Sequence, residues 1–189
     1  DNSRLFKSCA HRLGYLHDFE PARYLAHTWM KIDGPLHNIA RCDAELLTAL
    51  THIAPVFPEV VLIAIENASE ARDFCSRDNQ NFSTLVRLLR KIAYDDQYFD
   101  RSAGLILRFA ETEQSGENNN SIASQLASLF SLYLSGTQAT PARRHCFVNR
   151  MLNSGNLRQL EIAQDILRSA FQVSHWSSFG GFDFGARSR

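Results

Sequence analysis

Residues 82–113 read FSTLVRLLRKIAYDDQYFDRSAGLILRFAETE. Spaced at about 3.6 residues per turn, the first half lines Phe82, Leu85, Val86, Leu89, Ile92 and Ala93 along one face. Arg87, Arg90 and Lys91 fall on the opposite face, which predicts a solvated outer side. A second helix follows at once. Asp95 and Asp96 are candidate caps; Phe99, Ala103, Ile106, Leu107 and Ala110 stripe one side, and Leu105 and Phe109 reach round to another. One member of the pair is one-sided and the other is apolar over a broad arc. That is the pattern of a helical hairpin sandwiched between similar hairpins.

Working outward toward the start of the chain, residues 2–17 read as a helix along Leu5, Phe6, Cys9, Leu13 and Leu16. Residues 18–31 read as its partner, with Pro21 in the first turn and Leu25, Trp29 and Met30 facing inward. Asp33-Gly34-Pro35 breaks the pattern. Asp43 caps a predicted helix through Ala54, and Pro58 opens the next, whose nearly continuous apolar run over residues 60–68 predicts burial on most sides. Residues 69–81 are polar and read as a loop anchored by Phe74. Beyond the central hairpin, residues 114–120 form a Gly/Asn loop, and Ser121 or Asn120 caps a helix through Leu134. Thr140-Pro141 opens another helix to about Asn153, and Asn156 starts a last one through Phe171.

Laid over one another, the helices repeat at a period of about 40 residues. One row is Leu47, Leu50, Ile53 and Ala54, the next Val86, Leu89, Ile92 and Ala93, and the third Leu126, Leu129, Leu132 and Tyr133. Ala10, Leu13 and Leu16 form a weaker copy. This period, with two helices per unit, predicts an all-α fold: a right-handed superhelical array of antiparallel helical hairpins, a HEAT/armadillo-like α-solenoid. An irregular helical bundle is the alternative. Residues 1–176 are expected to form one such domain of about four hairpins. Residues 177–189 are a Gly/aromatic tail, and an opening without Met, already inside a helix, suggests a segment of a larger protein.

Formal net charge is zero, with 44% hydrophobic and 21% charged residues, so the balance argues against disorder and against a dedicated nucleic-acid binder. The last quarter departs from it. Residues 140–189 carry Arg143, Arg144, Arg150, Arg158, Arg168, Arg187 and Arg189 against Glu161, Asp165 and Asp183. Cys9, Cys42, Cys75 and Cys146 form no C-x-x-C pair and read as free thiols of a reducing cytosol. No run approaches the roughly 20 apolar residues of a membrane span.

No phosphate loop, dinucleotide fingerprint or H-E-x-x-H motif occurs, and no His falls three or four residues from another His or Cys. Glu111 and Glu113 lie two apart and point away from each other on a helix. The sequence thus predicts no catalytic residues, no cofactor and no metal. Candidate partner-binding residues are Arg143, Arg144, Arg150, Arg158 and Arg168, with Trp176, Phe184 and Arg187 in the tail. Arg143 and Arg150 lie about two turns apart on one stripe, suited to an acidic protein partner or to a nucleic-acid backbone.

Leu134-Ser135-Gly136-Thr137, Thr140-Pro141-Ala142-Arg143-Arg144 and the terminal Phe184-Gly185-Ala186-Arg187-Ser188-Arg189, with residues 92–113, resemble the helical-repeat region of large bacterial STAND-type signal-transduction ATPases, some of them anti-phage defence proteins. The resemblance implies a non-catalytic scaffold or sensor segment of a multidomain cytoplasmic protein. Its partner would be another protein or other domains of the same chain, with nucleic-acid binding through the C-terminal arginines as the second reading.

Overall fold

The computed structural model describes residues 2–71, 73–113, 121–132 and 135–172, and among these every regular element is helical. In chain order they are α1 (Asn2–Gly14), α2 (Glu20–Met30), α3 (Ala44–Ile53), α4 (Pro58–Ala68), α5 (Phe82–Ile92), α6 (Asp96–Glu111), α7 (Ile122–Ala127), α8 (Pro141–Leu152) and α9 (Leu157–Ala170). Short 3-10 turns occupy Ile39–Arg41 and Ser128–Phe130.

Local chemistry sets the helix starts. The Asp43 carboxylate accepts from the backbone N–H groups of Glu45 and Leu46 at 2.9 and 2.8 Å. Ser121, Thr140 and Asn156 cap α7, α8 and α9 in the same way. Pro21, Pro58 and Pro141 sit in first turns, where a missing N–H costs nothing. Asp95 holds the cap position of α6, but its side chain makes no capping hydrogen bond.

Helix α6 is the centre. Phe99, Ala103, Leu105, Ile106, Leu107, Phe109 and Ala110 are all buried, as the broad apolar arc of the sequence predicts. It packs against α5, α7, α4 and α9. Phe99, Phe130 and Phe147 close one end of this core with ring centroids 5.5 to 6.2 Å apart, and Phe74 reaches in to Phe109 at 6.1 Å. At the other end α1 lies on α3, and a Cβ at Gly14 would collide with the His52 carbonyl oxygen.

Two series of polar links join helices distant in the chain. In one, Lys7 reaches Glu45, Asn81 reaches the Cys42 carbonyl, Arg90 reaches Ser128, and Ser131 meets Ser169, at separations of 38 or 39 residues. In the other, arginines of α6 and α8 reach back to carboxylates and a serine earlier in the chain. Arg101 grips both oxygens of Glu66 at 2.8 and 2.7 Å, Arg108 binds Ser69, and Arg143 binds Asp96 and Asp100 at 3.1 and 3.3 Å.

Several expectations are corrected. Arg90 is not on a solvated face: it is largely covered, donates to Ser128 Oγ at 2.8 Å, and burial pushes its guanidinium down to about 10. The inward face of α2 is Ala22, Ala26 and Met30; Leu25 is exposed and Trp29 half-buried against Phe6, because α2 lies at an edge with few neighbours. Along α4, Val61, Leu62 and Ile65 are buried while Ile63 is exposed, since α2 stands off on that side.

The helix expected through Leu134 stops at Ala127. Phe130 turns in between Phe99 and Phe147, and Leu132, placed in the third apolar row, is 67% exposed. Aromatic packing overrides helical propensity there. Tyr133, Leu134, the 114–120 loop and the tail lie outside the described residues.

Candidate functional site

The sequence singles out the arginines of α8 and α9, and their surroundings sort them. Arg143 and Arg150 come together on Asp100, at 3.3 and 2.6 Å, and Arg143 also meets Asp96. Arg158 pairs with Glu161 at 2.9 Å and Arg168 with Asp165 at 2.7 Å, both along α9. These four guanidinium charges are therefore matched within the fold. Arg158 and Arg168 are not joined to the α8 stripe. Trp176, Phe184 and Arg187 lie outside the described residues.

Arg144 differs. Its Nη1 donates to the Ser131 carbonyl at 2.7 Å, its Nε is buried with no partner, and among the described residues no carboxylate pairs with it. Burial lowers its basicity. A cation bonded to a neutral carbonyl retains the capacity to take a carboxylate.

Arg144 stands at the edge of an apolar groove of about 290 Å³ between the Ser128–Phe130 turn, α8 and α9. Leu132, Val148, Leu152, Ile166, Leu167 and Phe171 line it. Val148 and Ile166 form the buried floor, whereas Leu132, Leu152 and Phe171 form an exposed rim. On α8 the groove uses Arg144, Val148 and Leu152, three positions one helical turn apart each, and on α9 Leu167 and Phe171 repeat that spacing. The stripe was visible in the sequence as an i, i+4, i+8 row. Sequence reasoning followed Arg143 and Arg150 and missed Val148, Leu152 and Phe171.

A second depression, of about 680 Å³, lies beside α2 and opens toward α4. Trp29, Met30, Lys31, His37 and Val60 border it, together with the Asp33-Gly34-Pro35 turn. His27 and Asp33 also line it. Among the described residues no group of His, Cys, Asp and Glu could hold a metal ion. Cys42 and Cys75 are buried, and burial raises both thiols, which favours the unreactive protonated form. No described helix is long and apolar enough to cross a membrane.

Glu111 and Glu113 are both engaged. Glu111 accepts from Asn156 and Gln159 across to α9, at 3.2 and 2.7 Å. Glu113 is nearly wholly buried and accepts from Arg77 and from two backbone N–H groups of α7.

No protein-family model, curated protein or solved structure matches the chain. The groove beside Arg144 is thus interpreted from its own geometry and chemistry.

Proposed function

We propose that the chain is a non-catalytic recognition module, an array of HEAT-like helical hairpins that serves as scaffold or sensor in a larger multidomain bacterial protein of the cytoplasm. The observation that carries this reading is the apolar groove with a carboxylate-free arginine at its edge. Such a surface suits a peptide segment that brings aromatic side chains for the floor and one carboxylate for Arg144. The 38- and 39-residue register of one series of links supports the array, since each unit repeats the contacts of the one before. Likeness to STAND-type ATPases belongs to the proposal and is not part of its support.

Nucleic-acid binding is less well supported by the same geometry. Arg143, Arg150, Arg158 and Arg168 already face carboxylates, so the stripe offers little net charge to displace counterions from a phosphate backbone.

The test is a fluorescent peptide in which two phenylalanines flank an aspartate, titrated into the chain. Saturable binding, weakened about tenfold by R144E or L152E and lost when the peptide's aspartate becomes lysine, is expected. A peptide that does not bind, or that binds these variants equally, would overturn the recognition reading. Salt-sensitive binding of duplex DNA, abolished by reversing Arg143 and Arg150, would favour the nucleic-acid alternative.

A further inference from the structure

The groove beside Arg144 gathers its polar side chains on one wall. They are Arg144, His145 and Asn149, all on α8, and none of the residues lining it is acidic. The α9 wall, from Ile166 to Phe171, is apolar throughout its lining positions. Pro141, the first residue of α8, lines the groove as well, so the positive end of the helix dipole acts close to Arg144. The volume sets the size of what seats wholly inside. About 290 Å³ lies at the lower bound of small-molecule pockets. At the roughly 30 Å³ that a water molecule takes in the liquid, this matches on the order of ten non-hydrogen atoms. A peptide carries an N–H and a C=O in nearly every residue, which so apolar a lining leaves unpaired, so a peptide enters by its side chains alone. A small molecule with all its polar atoms at one end has no such penalty. Its apolar part meets branched aliphatic side chains, Leu132, Val148, Leu152, Ile166 and Leu167, to which a flexible chain conforms.

We propose that the groove between α8 and α9 binds an aliphatic monocarboxylate of medium length, about eight carbons, with its carboxylate on Arg144 and its chain over Val148 and Ile166. The inference rests on the recognition reading, since it takes the same groove and the same arginine as a binding site, and it names the small ligand that regulates that site. Once such a molecule is seated, Arg144 has its carboxylate and the floor is filled, so peptide and small ligand exclude each other. Charge complementarity selects the anion. Arg144 donates at 2.7 Å to the neutral Ser131 carbonyl, and among the described residues no carboxylate pairs with it. An alkylamine of the same length would meet a like charge there. The larger depression beside α2 makes no such selection, because Lys31 and Asp33 border it with opposite charges.

Calorimetric titration of octanoate into the full chain is the test. Saturable single-site binding is expected, strengthening about fourfold per methylene from butanoate to octanoate and levelling off beyond decanoate, where the chain outruns the groove. R144E is expected to weaken octanoate about tenfold and to bind octylammonium, which wild type does not. Leu132 is 67% exposed, so L132E alters the rim without entering the core; it is expected to weaken octanoate severalfold at an unchanged midpoint of unfolding. Octanol bound as tightly as octanoate, an affinity indifferent to both variants, no levelling-off, or no octanoate binding would each overturn the inference. The fluorescent peptide tells the two readings apart, because octanoate is expected to displace it competitively. Peptide binding that octanoate leaves undisturbed overturns the small-ligand inference and leaves recognition standing. Binding of neither overturns both, and octanoate binding without peptide binding sinks the peptide reading alone. A dimer that L152E dissociates, with octanoate unbound, would assign the groove to a second copy of the chain and overturn the inference too.

Discussion

Arg77 Nη2 stands 2.7 Å from Glu113 Oε1, and the Glu113 side chain is 2% exposed. The same carboxylate accepts from the backbone N–H groups of Ile122 and Ala123 at 2.6 and 3.0 Å. One side chain thus ties the polar segment before α5 to the start of α7, while Arg77 lies over the Phe82 ring at 4.7 Å. Removing one partner of such a buried, hydrogen-bonded charge pair exposes the full desolvation cost of the other. Glu113→Ala is expected to destabilise by about 3 kcal/mol, and Glu113→Gln by less, because the amide oxygen still accepts one N–H. Urea unfolding measures both.

Arg90 is a second covered charge with a different sign of effect. Burial lowers it to about 10, below the ordinary arginine value. A base whose folded value is depressed disfavours the folded state wherever it is charged in both states. That penalty is complete below about 10 and is relieved as pH rises through the folded value toward the ordinary one. Arg90→Met fills a similar volume without the charge and is expected to hold stability level or raise it by about 1 kcal/mol at neutral pH. The gain should shrink as pH rises past the folded value. A loss of several kcal/mol at neutral pH would show that the guanidinium's hydrogen bonds outweigh its desolvation.

Gly14 ends α1 where α1 meets α3. A methyl group there would strike the backbone carbonyl of His52, which has no flexible end to yield. Gly14→Ala is expected to cost about 1–3 kcal/mol, the range of overpacking, despite alanine's higher helix propensity. Cys9, exposed on the same helix, provides a thiol-labelling readout, although loosening confined to α1 is better followed by amide exchange.

Ser102 is completely buried in α6, and its hydroxyl has no hydrogen-bond partner. Alanine removes the orphaned group and keeps the helix. Ser102→Ala is expected to stabilise by about 1 kcal/mol, seen as a higher urea midpoint with an unchanged slope.

The helical class was legible because its signal is local. Apolar spacing over residues 82–113 marks α5 and α6, and Asp43, Thr140 and Asn156 mark helix starts through hydrogen bonds to residues two or three positions away. What escaped the sequence depends on neighbours. Arg90 resembles Arg87 in pattern, yet Arg90 meets Ser128 of the turn after α7 while Arg87 is left exposed. On α2 Ala22, Ala26 and Met30 face in and Leu25 is exposed, because α2 lies at an edge with few neighbours. Likewise Arg143 and Arg144 are adjacent in the chain, but Asp96 and Asp100 lie beneath one and a carbonyl beneath the other. No periodicity distinguishes them.

The polar links between helices also bear on how the chain folds. Among the described residues the polar links of the two series above, from Lys7–Glu45 to Ser131–Ser169, together with Arg150–Asp100, join positions 35 to 50 residues apart. Closing a loop of that length costs little more entropy than closing one of half the size. Structure can grow outward from α6 one neighbour at a time, without waiting for the termini to meet. Such a succession of neighbour contacts distributes stability unevenly. Amide exchange should be slowest in the middle of α6 and fastest in α1 and α2, where neighbours stand on one side alone.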